Sequence, residues 1–305
     1  MGLVLENRIE ASHLRRFAYG RVLDDLQAVE FVSLFKPVLN SSGSRPALLE
    51  IVSMYTYRSD DRWAGCKTFI TELLMSADFA SSIDSTMDAH YWEEAAVKLL
   101  TGGTEPELAV EITRQIIGTA HQDATRFRLD IDQRAILRVV FSHYGETCWP
   151  LIGAELTSAQ SYRLRHLLGP HGVAERETSV SWFLDKKILT DWARTTPDGV
   201  AMLLDIIGLF VVDEAGEYHW HPTVLALLEC GFNDAAASAI ASNLFTYSSW
   251  GSRVPYIDKR LRLLNELQDH PNLMVRNMAR DLIEGFEKDK RQHQKRDEEF
   301  KAGIL

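Results

Sequence analysis

The feature that most constrains this chain is the recurrence of helix start and stop signals with almost nothing between them. Thr104-Glu-Pro-Glu107 reads as a capping box with Pro106 in the first helical turn. Asp132 is placed to cap a helix from Gln133 to Tyr144, closed by Gly145. Ser158 opens Ala159 to Leu168, which ends at Gly169-Pro170. Asp185 opens a helix through Trp192, Thr196-Pro197-Asp198 opens Gly199 to Leu209, and Asp234 opens Ala235 to Phe245. Connections this short force consecutive helices to pack antiparallel.

A spacing accompanies the punctuation. Ile112, Ile152, Leu203, Ile240 and Met278 each carry an apolar residue four positions later, at Ile116, Leu156, Ile207, Leu244 and Leu282. Each also has a core-compatible residue three positions earlier: Ala109, Trp149, Val200, Ala237 and Val275. The gaps between these anchors are 40, 51, 37 and 38 residues. Three of the four lie in or just below the roughly 40 to 47 residues of HEAT or armadillo units. The template itself is common to amphipathic helices, so the spacing carries the repeat reading.

The end of the chain supplies the best-defined unit. A helix over Pro255–Gln268 runs into the polar corner Asp269-His-Pro-Asn272, and a second helix leaves at Leu273. Asp269-His-Pro-Asn-Leu-Met-Val275-Arg276-Asn-Met-Ala279 resembles the corner of HEAT repeats, where Asp and Pro precede a Val-Arg-x-x-Ala helix start. The match covers about one unit, and the other units lack the Val-Arg pair. The resemblance implies an α-solenoid and partner binding, with no catalytic residues. The helical style is also similar to that of helical regions in large bacterial defence proteins.

The predicted fold is therefore all-α, an α-solenoid of antiparallel helix pairs over 1–283 with a subdivision near 169–180. One departure is expected. Leu209-Phe-Val-Val-Asp-Glu-Ala-Gly-Glu-Tyr-His-Trp220 places a turn signal between two β-rich triplets, which predicts a small hairpin at 209–220. Ile51–Tyr57 is rich in β-formers but flanked by helical pattern, and is read as helix. Residues 284–305 form a charged helical tail, with six acidic and six basic residues over Glu284–Lys301 and i,i+4 pairs Glu284–Lys288 and Glu287–Arg291. The tail is expected to be disordered near its end.

Composition limits the function classes. With 46 % hydrophobic residues there is enough apolar material for a continuous core. A net charge of −10 disfavours general attraction to nucleic acid or an anionic membrane. Three scattered cysteines without a CxxC pair point to reduced thiols in a cytoplasmic protein. There is no signal-peptide pattern, and the longest apolar run, Val200–Val212, is interrupted by Asp205 and too short to span a bilayer. The early helical pattern suits either a natural start or a module of a longer protein.

No GxSxG, GxxxxGK[ST], GxGxxG or HExxH motif occurs. His219 and His221 alternate on a predicted strand, where two imidazoles share a face, but spacing offers no third metal ligand. Asp130 and Asp132 form a carboxylate pair that a helix cap explains better than an ion does. Cys148 beside His143 reads as a buried thiol on the Trp149–Ile152 face rather than a nucleophile. No catalytic residue, metal ligand or cofactor is assigned.

The expected function is a non-catalytic protein-interaction or sensor module, in the setting of a larger bacterial defence or toxin–antitoxin-type assembly. Another protein is the expected partner, with nucleic acid as a second and no membrane. The candidate partner-binding residues are Trp250, Arg253, Lys259, Arg260, Arg262, Arg276 and Arg280. The alternative is a DNA-binding or glycosylase-like repair enzyme on a HEAT-like scaffold, which requires a basic concave face.

Overall fold

The structure, a computed structural model, describes residues 11–19, 21–40, 44–121, 130–170, 179–246 and 251–302. Within them the fold is all-α, with thirteen α-helices and one two-stranded antiparallel hairpin. No helix among the described residues is long and apolar enough to cross a membrane. The chain divides into two units, Met1–Leu167 and Leu168–Leu305. The division falls just ahead of Gly169–Pro170.

In the first unit, 3-10 turns at Ala11–Phe17 and Arg21–Leu23 lead into α1 (Ala28–Phe35), a 3-10 turn at Lys36–Val38, α2 (Ser44–Thr56) and α3 (Asp60–Leu74). A further 3-10 turn at Ala80–Ser82 precedes α4 (Thr86–Leu100), α5 (Pro106–Ala120) and α6 (Asp130–Leu156). The short α7 (Tyr162–Leu168) reaches the boundary. Helix α2 packs on the first 3-10 turn, α3 and α4, and α6 packs on α4 and α5. Ile51 and Val52 are fully buried on α2, so the β-rich stretch is helical as read. Phe31 of α1 stacks on Tyr55 at 4.1 Å. Gly65 lets α1 approach closely, since a Cβ there would collide with that of Ala28.

Three predicted caps in this unit do not form. Helix α5 starts at Pro106 as expected, but Glu105 makes no side-chain cap and no capping box forms. The Glu105 carboxylate instead meets Lys67 Nζ at 2.7 Å, and its amide donates to Tyr144 Oη at 3.1 Å. Asp132 does not cap α6, which already begins at Asp130. The stop predicted at Gly145 is a break at Tyr144, where φ −133° and ψ 20° leave the helical region. Tyr144 Oη donates to Leu100 O at 3.0 Å, so one phenol fastens the break to the α4–α5 connection. Ser158 opens no helix: its hydroxyl meets Glu155 at 2.5 Å, and α7 begins only at Tyr162.

The second unit holds a 3-10 turn at Val180–Phe183, then α8 (Lys186–Thr195), α9 (Gly199–Ile206), β1 (Phe210–Val212) and β2 (Tyr218–Trp220). It continues with α10 (Pro222–Gly231), α11 (Asp234–Phe245), α12 (Val254–Asn265) and α13 (Leu273–Lys301). Asp185 caps α8 as read, accepting from the Lys187 amide. The cap of α11 is Asn233, not Asp234, and accepts from Ala236 N at 2.9 Å. The hairpin pairs Phe210 with Trp220 and Val212 with Tyr218. Its turn is closed by Asp213 Oδ1, which accepts from Glu217 N, and by Gly216 at φ 80°. Trp220 turns inward and donates to Leu263 O at 2.8 Å, which ties the hairpin to α12.

Of the residues in the repeat template, all are buried except Ala237, whose place in the core is taken by Ala236. At the closing corner Asn272 caps α13 by accepting from Met274 N. Helix α13 runs without a break through 283–284, where the sequence separates a tail. Phe286 is its last fully buried residue and stacks on Phe245 at 4.2 Å. Beyond it the helix is held by Lys290–Asp258 at 2.6 Å and Ser252–Asp297 at 2.5 Å. The pairs predicted between Glu284 and Lys288 and between Glu287 and Arg291 are replaced by Asp289–His293 and Lys295–Glu299.

Candidate functional site

The cations singled out in the sequence mostly have structural work. Arg260 is 2 % exposed; its Nε donates to Leu244 O at 2.9 Å and its Nη1 to Tyr256 O at 3.2 Å. Its guanidinium lies 5.7 Å from the centre of the Tyr218 ring, and Lys259 Nζ lies 5.2 Å from the same ring. Arg262 meets Glu217 of the hairpin at 2.7 Å. Lys259, Arg260 and Arg262 are thus brought together, but as a clamp between α12 and the hairpin. Arg276 Nη1 donates to His270 O at 2.6 Å and Pro271 O at 3.0 Å, which satisfies carbonyls at the α12–α13 corner. Arg253 stands at the N-cap of α12 and Arg280 is exposed on α13. Trp250 lies outside the described residues.

The other sequence candidates separate in space. His219 Nε2 faces Asp213 at 3.1 Å, whereas His221 leaves the strand, caps α10 and stacks on Trp182 at 4.8 Å. Cys148 is fully buried, and burial raises the pKa of its thiol. Cys66 is equally enclosed and is pushed up to about 11 by desolvation. A thiol held protonated in this way is a poor nucleophile. Asp130 turns inward, 3.7 Å from Arg163 and 3.8 Å from His166. Asp132 turns away from it and joins His90 and Glu93, a grouping that sequence spacing does not reveal.

A groove on α3 was also missed. Lys67, Thr68, Thr71, Glu72 and Met75 recur at helical spacing and form its floor. Leu39, just after the Lys36–Val38 turn, and Glu105, just before α5, complete the lining. The cavity measures about 610 Å³, within the size range of ligand pockets. Two ion pairs border it: Lys36–Glu72 at 3.2 Å and Lys67–Glu105 at 2.7 Å. Met75 is 39 % exposed and offers a flexible thioether surface. The only sequence trace of this arrangement is the mixed Thr/Lys/Glu face of α3, which resembles any solvated helix face.

A third cluster is built around two buried carboxylates, Glu50 and Asp88. Arg15 reaches Asp88, Glu50 and Asp84, and Tyr19 donates its hydroxyl to Glu50 at 2.6 Å. Glu50 and Asp88 are 3 % and 1 % exposed, so this network secures the first 3-10 turn against α2 and α4. No protein-family model, curated protein or solved structure matches the chain.

Proposed function

We propose that the chain is a non-catalytic protein-interaction module, and that the α3 groove receives a short segment of its protein partner. The groove is the observation that carries this reading. Its floor combines Thr hydroxyls and the Met75 side chain, and its borders alternate cation and anion in two pairs. The complementary segment has one apolar side chain between residues of opposite charge, which meet Lys36–Glu72 on one side and Lys67–Glu105 on the other. A protein fits better than nucleic acid. The net charge is −10, and Arg260, Arg262 and Arg276 are committed to internal carbonyls and carboxylates. The HEAT-like corner at Asp269–Ala279 belongs to the same reading, since helical-repeat folds commonly serve recognition.

A photo-crosslinking residue at Thr68, expressed in the native host, tests the proposal. One discrete protein adduct is expected, absent when the same group is placed at exposed Glu229 and absent from a Thr68 sample that also carries Met75→Asp. No adduct at Thr68, or the same adducts from both positions, overturns the reading. A nucleic-acid adduct at Thr68 assigns the groove to another class of partner.

A further inference from the structure

We propose that His90, Glu93 and Asp132 bind a single divalent transition-metal ion. His90 and Glu93 stand one turn apart on the same face of α4, and Asp132 comes from the first turn of α6, which packs against α4. One ligand atom from each lies within 4.8 Å of the other two. Donor atoms sharing one ion at about 2.1 Å sit about 3.0 to 3.5 Å apart, so side-chain rotation alone closes the set.

The supporting frame is rigid. On α4 the intervening and following residues Tyr91, Trp92, Ala95 and Ala96 are buried. On α6 Gln133, Ile136 and Leu137 are buried. The three donors therefore project from backbone fixed on both sides, as a metal centre requires.

Charge supplies the independent argument. Glu93 has His90 Nδ1 at 3.6 Å as its ion-pair partner, beyond hydrogen-bond range, and Asp132 faces the same imidazole. Two cations on the same helices are directed elsewhere: Lys98 covers the Trp63 ring at 4.0 Å, and Arg134 donates to Leu167 O at 2.7 Å. Two half-buried carboxylates thus face each other beside one imidazole.

The donor set selects the class of ion. One imidazole nitrogen and two carboxylate oxygens suit Zn²⁺, Mn²⁺ or Fe²⁺, whereas Ca²⁺ takes six to eight oxygen ligands. His90 is exposed, so the outer side of the site is open to water, which fills the positions that the protein leaves.

Isothermal titration of the chelator-treated full chain with Zn²⁺, and separately with Mn²⁺, tests the site. Saturable uptake of one ion per chain is expected for at least one of them. His90→Ala, Glu93→Gln and Asp132→Asn should each weaken it by about tenfold or more. His219→Ala, at the other histidine–carboxylate pair, should leave it unchanged. The same ion should raise the melting temperature of the wild-type chain but not of Asp132→Asn, an isosteric change that keeps the fold. Absence of saturable uptake, or uptake that is unchanged in both His90→Ala and Asp132→Asn, overturns the proposal.

Discussion

Arg15 Nη2 donates to Asp88 Oδ2 at 2.8 Å across 73 positions of sequence. The Asp88 carboxylate is fully buried, yet it keeps its charge. Burial pushes its pKa up, but hydrogen bonds from Arg15, Asp84 and Ser85 outweigh that and hold it below the ordinary carboxylate value. Removing the guanidinium leaves a buried anion. Arg15→Ala should therefore destabilise the fold by on the order of 3 kcal/mol in urea unfolding.

The same pair sets an acid limit. A carboxylate whose folded pKa is depressed stabilises the fold above its unfolded pKa, about 3.9. That stability is lost as pH falls below about 4 and through the folded value. Wild-type chain should lose stability over this window, and Asp88→Asn, less stable at pH 7, should show a flatter acid limb. Urea midpoints measured between pH 7 and pH 3 check both.

Tyr144→Phe deletes one oxygen with two partners, the Leu100 carbonyl and the Glu105 amide. Both partners lie where α4 ends and α5 starts. The expected cost is about 1 to 2 kcal/mol. Amide hydrogen exchange should speed up locally at Glu105, which separates this effect from a general loosening.

Arg260 and Arg280 make a contrasting pair. Arg260→Met removes a buried guanidinium from the Leu244 and Tyr256 carbonyls and should cost about 2 to 3 kcal/mol. Arg280→Met changes an exposed side chain and should stay within about 0.5 kcal/mol. Thermal melts of the two variants give the comparison.

Gly65→Ala should cost about 1 to 3 kcal/mol, because its methyl group meets the Ala28 Cβ where α1 crosses α3. Pairing it with Ala28→Gly should recover part of the loss. No recovery would place the strain elsewhere.

Local signals were legible in the sequence and tertiary ones were not. Asp185 caps α8 within two residues of itself, and the Asp213–Gly216 turn closes the hairpin from its own side chain and backbone. The apolar template marks core positions at every residue but Ala237, because helix period and burial are read from the same residues. The Thr104–Glu107 capping box does not form, and Glu105 beside it pairs with Lys67, 38 positions away on another helix. The basic set at Lys259–Arg262 looked like free charge because neither Glu217 nor the Leu244 carbonyl announces itself at helical spacing. The sequence analysis singles out neither His90 nor Glu93 of the proposed metal site, and it gives Asp132 a capping role because the packing of α6 on α4 has no local signal.

Helix α13 has a mechanical consequence. Its 29 residues make a rod about 43 Å long. Phe286 pins the rod near its middle against Phe245, and just over half its length lies beyond that pin. A load applied at Lys301 therefore acts on a long arm, and the Lys290–Asp258 and Ser252–Asp297 contacts are the stays that resist it. The rod turns a small force at its tip into torque on the Phe245–Phe286 contact, the hinge of a lever.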